Sequence, residues 1–145
     1  MPQKTKTHRP ARRGFTLLEI IVVVMIIAVL ATLIAPKLLS RVGTAKHAAA
    51  KSKASAIAQA VELYHLEMGL SKVSDDFELE LLLLPQEDGG APGGPFLQKN
   101  DDIVDPWGNT FEILVPGNIN YSYDIVSFGE DGEPGGEDIN ADVTQ

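Results

Sequence analysis

The spacing of apolar residues divides the chain into parts with different destinations. Residues 15–35 read FTLLEIIVVVMIIAVLATLIA, an apolar run whose one charge is Glu19. At a rise of about 1.5 Å per residue the run spans roughly 30 Å, the thickness of a bilayer's hydrocarbon core. After Pro36 the pattern becomes mixed. Leu38, Val42, Ala45, Ala49, Ile57, Ala60, Tyr64 and Met68 recur at mostly three- and four-residue spacing, which predicts the apolar stripe of an amphipathic helix. Lys37, Arg41, Lys46, Lys51 and Lys53 sit off that stripe, and Gly69 is placed to stop the helix. The expectation is one long helix over residues 15–68, interrupted or kinked near Pro36, where proline removes a backbone donor. The alanines, such as Ala48-Ala49-Ala50, suit both helix formation and close approach of another backbone.

Beyond the helix the periodicity shortens. The run Phe77-Glu-Leu-Glu-Leu-Leu-Leu-Leu84 fits a short helix or a strand. Residues 86–95 are rich in Gly and Pro and predict a loop. Two apolar runs, 110–115 and 121–128, flank Pro116-Gly117-Asn118 and predict a β-hairpin. The expected fold class is α+β: a long N-terminal helix, with a membrane half and an amphipathic half, packed against a small antiparallel sheet and followed by an acidic C-terminal loop.

Charge sharpens this picture. Lys4, Lys6, Arg9, Arg12 and Arg13 precede the apolar run with no acid among them, while the last third of the chain is strongly acidic. The net charge of -8 therefore hides a basic leader joined to an acidic body. An acidic body does not suit nucleic acid, whose phosphates demand Lys and Arg. Basic residues before an apolar run keep their own side cytoplasmic, so the body after Pro36 belongs outside. A cleavable secretory signal is a poorer reading, because its apolar region is typically about 7–15 residues long. A plain anchor leaves Glu19 unexplained, since a carboxylate in the apolar core costs about 2.5–3.5 kcal/mol on insertion scales. The absence of cysteine excludes disulfides, thiolate zinc sites and cysteine nucleophiles.

The segment Arg12-Arg13-Gly14-Phe15-Thr16-Leu17-Leu18-Glu19 resembles the processing signal of type IV pilins and type II secretion pseudopilins. The resemblance implies that a prepilin peptidase cuts between Gly14 and Phe15 and that Phe15 becomes the N-methylated terminus. It divides the chain into a removed leader (1–14), a transmembrane and assembly helix (15–35) and a periplasmic domain (36–145). Cleavage would create an ammonium at Phe15, able to pair with Glu19 of a neighbouring subunit. An unpaired buried charge is expensive and a paired one tolerable, so Glu19 would act as a register device in assembly.

The run Asp105-Pro106-Trp107-Gly108-Asn109, followed by a strand, a Pro-Gly turn and Asp124-Ile-Val-Ser-Phe-Gly-Glu-Asp-Gly132, resembles the major pseudopilin of type II secretion systems. That family favours a helix over residues 71–84. Between Gly69 and Leu97 this chain lacks the family's Tyr-Pro-Thr segment, and no Trp follows Ile139. The loop from Phe128, FGEDGEPGGEDINAD, offers carboxylates and glycine turns suited to a hard cation, with Asp131 expected to meet Glu137 and Asp138. A solvated acidic tail is the plainer reading of the same composition. The family binds calcium in this loop. The resemblance assigns carboxylates to Asp131 and Asp138 and main-chain carbonyls to Phe128 and Glu133. Glu137 stands where the family usually has Asp, and the loop is one residue shorter.

The function implied is the structural major subunit of a secretion pseudopilus, a homopolymer built with prepilin peptidase, an inner-membrane assembly platform and minor pseudopilins. Its expected place is the bacterial inner membrane, as a single-pass protein with its body in the periplasm. A type IV or DNA-uptake pilin is the nearest alternative, and such pilins often carry a C-terminal disulfide loop. A membrane-tethered calcium-binding module is the alternative of another class. An enzyme is not indicated: His8, His47 and His65 are the only histidines, and Gly-x-Ser-x-Gly, P-loop and HExxH motifs are absent.

Overall fold

A computed structural model describes residues 14–145, except for the side chains of residues 36–40. Residues 1–13 of the expected leader (1–14), and the side chains of the stripe residue Leu38 and the off-stripe Lys37, lie outside what is described. Two compact units divide the chain, one ending at Leu39 and one spanning Ser40–Gln145.

A single helix, α1, runs Leu17–Met68. It is not interrupted at Pro36, because losing one donor leaves the hydrogen-bond ladder intact on either side. In the first unit, Leu17–Ala35 has a mean hydropathy of 3.1, and none of it is buried within the chain. The Thr32 hydroxyl in this run donates to the Val29 carbonyl at 2.8 Å, so its polar atom is paired within the helix. At the other end α1 closes in a Schellman turn. The Gly69 N–H donates to the Leu66 carbonyl at 3.2 Å and the Leu70 N–H to the His65 carbonyl at 2.9 Å. Gly69 has φ +66°, the left-handed conformation this turn needs.

In the second unit, Ala50, Ala54, Ile57, Ala60, Val61 and Tyr64 form the buried stripe of α1. The expected stripe is therefore right at Ile57, Ala60 and Tyr64. It is one residue out of phase below them, where Val42, Ala45 and Ala49 are exposed and Gly43 and Ala50 are buried, and Met68 is also exposed. The runs of alanine erase the contrast between faces on which phase assignment depends. Small residues are used because the body comes close: a Cβ on Gly43 would lie 2.6 Å from the Ile139 side chain.

The segment after the helix contains a 3-10 helix, Leu79–Leu83, rather than α-helix or strand. Leu79 and Leu82, three apart, are both buried, which matches three residues per turn. Residues 86–95 are irregular apart from a short 3-10 turn, Gln86–Asp88. The hairpin forms from β1, Glu112–Leu114, and β2, Asp124–Ser127, with Ile113 opposite Ile125. A further strand, β3, Val143–Thr144, pairs antiparallel with β2, so the sheet order is β1-β2-β3. Every residue of β2 is buried, as expected of a central strand. Ile125 and Val143 join Ile57, Val61, Tyr64, Leu82 and Phe111 in one core. Each fully buried aliphatic side chain there contributes about 1.5–3 kcal/mol.

Candidate functional site

Two places carry the residues singled out above: the start of α1, and the end of the chain where it fastens to the middle of α1. At the start, Thr16 is the last residue before the helix. Its side-chain oxygen accepts from the Glu19 N–H at 3.2 Å, and its carbonyl accepts from the Ile20 N–H at 3.3 Å. Thr16 thus caps the helix, and Glu19 lies in the first turn, where a carboxylate is favoured by the helix dipole. Gly14, Phe15 and Glu19 are exposed, Phe15 to 79 %. Gly14 and Phe15 lie outside the helix and are both exposed, which leaves the peptide bond between them accessible. A Phe15 ammonium would sit beside the positive end of the helix dipole, which makes a carboxylate partner more valuable there.

In the second unit the organising residue is Asp105. It is 4 % exposed, yet its carboxylate is saturated. Oδ1 accepts from the backbone N–H groups of Trp107, Gly108 and Asn109 at 2.9, 2.8 and 2.9 Å, while Oδ2 accepts from the Ser127 hydroxyl at 2.6 Å. One side chain therefore shapes the Asp-Pro-Trp-Gly turn and ties it to β2. From that turn Asn109 donates through Nδ2 to the Gly129 carbonyl at 2.8 Å, holding the start of the acidic loop. Trp107 meets His47 of α1 edge to face at 5.0 Å, and Lys46 Nζ lies 5.8 Å from the Trp107 ring centre. Lys53 reaches from α1 to the carbonyls of Asp101 and Val104 at 2.8 and 2.7 Å. Lys46 and Lys53, expected off the packed face, are thus among its fasteners.

The acidic loop returns to the same place. His47 Nε2 lies 2.7 Å from the Asp138 carbonyl oxygen and donates to it. The Gly135 N–H is shared by both Asp142 carboxylate oxygens at 3.0 Å, and the Glu130 N–H donates to the Ile139 carbonyl at 3.1 Å. Gly129 has φ +68°, and a Cβ there would stand 2.7 Å from the Asn140 carbonyl carbon. Only glycine fits that crossing. Asp131, Glu133, Glu137 and Asp138 are exposed and Phe128 half-buried; Asp131 Oδ1 accepts from the Glu133 N–H at 3.3 Å. Among the described residues no group of three or more His, Asp or Glu side chains comes together as a metal would require. The loop is right for a hard cation in donor type, with carboxylates and carbonyls and no nitrogen or sulfur, but its carboxylates are not gathered into a cage.

Asp124 is a second buried acid. Burial pushes its pKa up, but backbone hydrogen bonds from Ile119, Asn120 and Asn118, with the Asn120 side chain, outweigh that and leave it below its ordinary 3.8. These bonds, 2.6–2.8 Å long, shape the hairpin connection. Burial, then the Glu62 carboxylate, raises the pKa of Tyr123, whose hydroxyl donates to the Ala58 carbonyl at 3.1 Å. His65, the other described histidine, is buried with Nδ1 2.7 Å from the Val61 carbonyl oxygen.

Asp105, Asn109, His47 and Asp142 were not assigned roles from sequence. An Asp followed by a Pro-x-Gly turn is the usual signature of a carboxylate accepting from the next backbone amides, and could have flagged Asp105. The contacts of Asn109 and His47 cross the fold and have no local signal, while Asp142 closes the acidic loop on Gly135, seven residues earlier.

Comparison with known proteins agrees with this geometry. Residues 37–145 match the family model for type II secretion system protein G, and residues 9–35 match the prokaryotic N-terminal methylation motif. The type II secretion system core protein G of Pseudomonas aeruginosa is 39 % identical over 140 residues, covering 94 % of this chain and 96 % of that one. The protein of the same name from Xanthomonas campestris pv. campestris is 34 % identical over 150 residues, 99 % of this chain and 98 % of that one. The crystal structure of the major pseudopilin from the type 2 secretion system of enterohaemorrhagic Escherichia coli superposes with a TM-score of 0.58 at 23 % identity, covering 76 % of this chain and 94 % of that one. It establishes the pilin-like fold. The chain belongs to the family of protein G of the type II secretion system, a structural pseudopilin family, and carries that family's N-terminal methylation motif.

Proposed function

We propose that the chain is a fibre subunit, cut between Gly14 and Phe15 by prepilin peptidase, methylated at Phe15, and polymerised from the bacterial inner membrane into a periplasmic pseudopilus that drives protein export. The observation that carries this reading is the run Gly14-Phe15-Thr16-Leu17-Leu18-Glu19 at the head of the apolar stretch Leu17–Ala35 of α1, none of which is buried. Such a surface requires lipid before assembly and other helices after it. The apolar halves then pack in the fibre centre, and the acidic bodies face outward. An inner-membrane platform adds subunits, and minor pseudopilins complete the fibre.

In this reading Glu19 accepts the charge of a neighbour's Phe15 ammonium. Replacing Glu19 with alanine leaves processing intact and cripples assembly; normal fibre yield from that variant would defeat the assigned role. The family supports calcium as a structural occupant of the C-terminal loop. Asp131 and Asp138, with the carbonyls of Phe128 and Glu133, would hold it, and Glu137 stands beside them in sequence. The ion would supply a cross-link within the loop. A structural rather than enzymatic role is supported by the engagement of His47 and His65 in packing and backbone contacts.

A further inference from the structure

The outward side of α1 in Ser40–Gln145 changes character along its length. At about 100° per residue, Arg41, Ala45, Ala48, Ser52, Leu63 and Leu66 all lie on the side away from Ile57 and Tyr64. All six are exposed. The lower stretch is small and basic: Ala45, Ala48 and Ser52 are flanked by Arg41 and Lys51, both exposed. The upper stretch is large and acidic: Leu63 is 50 % and Leu66 73 % exposed, flanked by exposed Glu62 and Glu67. Lys46 and Lys53 are already held by Trp107 and by backbone carbonyls, so Arg41 and Lys51 are the bases this face presents.

We propose that these two stretches are the two halves of one contact between copies of this chain, the large acidic half of one helix seating on the small basic half of its neighbour. This rests on the fibre reading, in which all helices point the same way. Two parallel helices in register would set Glu62 of one against Glu67 of the other and Leu66 against Leu66. A shift of about sixteen residues, roughly 24 Å, relieves both. It brings Leu63 and Leu66 to the height of the shallow surface at Ala45, Ala48 and Ser52, and Glu67 to the height of Lys51. Large side chains then meet small ones and acids meet bases, the complementarity that fixes register. The contact joins different patches on the two copies, so it does not close into a dimer. Each added copy leaves one patch free, which generates an open helical polymer. The surface is small beside the roughly 1,200–2,000 Å² of a stable interface, so it sets register in a fibre held by its apolar helices.

The chain has no cysteine, so two introduced cysteines give an unambiguous readout. The full chain carrying Ala48→Cys and Leu66→Cys is expressed with its assembly machinery and oxidised. The expected result is a ladder of covalent dimers, trimers and longer species from the double variant, and none from either single variant. Fibres of the double variant without a ladder overturn the offset contact, as do dimers from Leu66→Cys alone, which report in-register pairing. A Leu66→Cys adduct with another protein in place of the ladder overturns it as well. Absence of fibres from the unsubstituted chain overturns the fibre reading and this contact with it. Charge exchange gives an independent test. Glu67→Lys and Lys51→Glu each lower the yield of sheared fibre, and the two together restore it. Equal yield from both single variants and the pair overturns the proposal.

Discussion

Replacing Asp105 with alanine strips the acceptor from four donors at once. Three are the backbone N–H groups of Trp107, Gly108 and Asn109, and the fourth is the Ser127 hydroxyl. A hydrogen bond to a charged group contributes about 1.5–3 kcal/mol, but these four share one carboxylate and do not add. Gly108 is exposed, so water can replace the acceptor there, whereas Ser127 is fully buried and water cannot. Counting Ser127 in full and the half-buried Trp107 and Asn109 in part gives a loss of about 3 kcal/mol. For a unit of this size that lowers Tm by roughly 12 °C or more. Asp105→Asn keeps one oxygen for the three amides and offers an NH2 to Ser127 Oγ, so its loss is about 1 kcal/mol. Urea unfolding of the Ser40–Gln145 unit measures both, and Trp107, the single tryptophan, reports directly from the turn. Equal losses from the two variants, or a loss below about 1 kcal/mol for alanine, would refute the assignment of Asp105 as the acceptor that organises this turn.

Other consequences follow from the same contacts. Gly129→Ala forces a left-handed alanine and a Cβ onto the Asn140 backbone, and costs about 2–4 kcal/mol in the same unfolding assay. Asp124 has a lowered folded pKa, so its contribution to stability is fully present above its ordinary 3.8 and is lost as pH falls through the lower folded value. Unfolding followed below pH 3.8 will show that loss, and Asp124→Asn, already neutral, will lack this component of the pH dependence. Excess chelator lowers the melting temperature of the Ser40–Gln145 unit if calcium holds the C-terminal loop. The effect corresponds to about 2.7 kcal/mol for an ion at one hundred times its Kd, and an unchanged melting curve counts against the site.

The parts of the fold that depend on local pattern were legible in the sequence. The apolar run, the helix end at Gly69 and the hairpin around Pro116-Gly117-Asn118 each rest on neighbouring residues. The phase of the lower helix was not legible. Gly43, Ala50 and Ala54 bury themselves because the turn and loop press close, and nothing in an alanine-rich stretch says which alanines face the body. β3 was missed because a strand of Val143–Thr144 is too short to show alternation. At the chain's end the glycines announced a turning loop, but two of the residues fastening it, Asn109 and His47, act across long separations. Asp131, Glu137 and Asp138 were singled out by charge. The structure uses the backbone of Asp138 as an anchor and leaves the three side chains exposed.

The central claim is that this chain becomes a fibre subunit through one cut and one methyl group. Intact mass and N-terminal sequence of the protein from membranes of a host with prepilin peptidase test it most directly. The account predicts a chain that begins at Phe15 and carries one added methyl group. A retained leader would leave a membrane-tethered module, and a cut near Ala31 or Ala35 would mean an ordinary secretory signal. Either result would contradict the account.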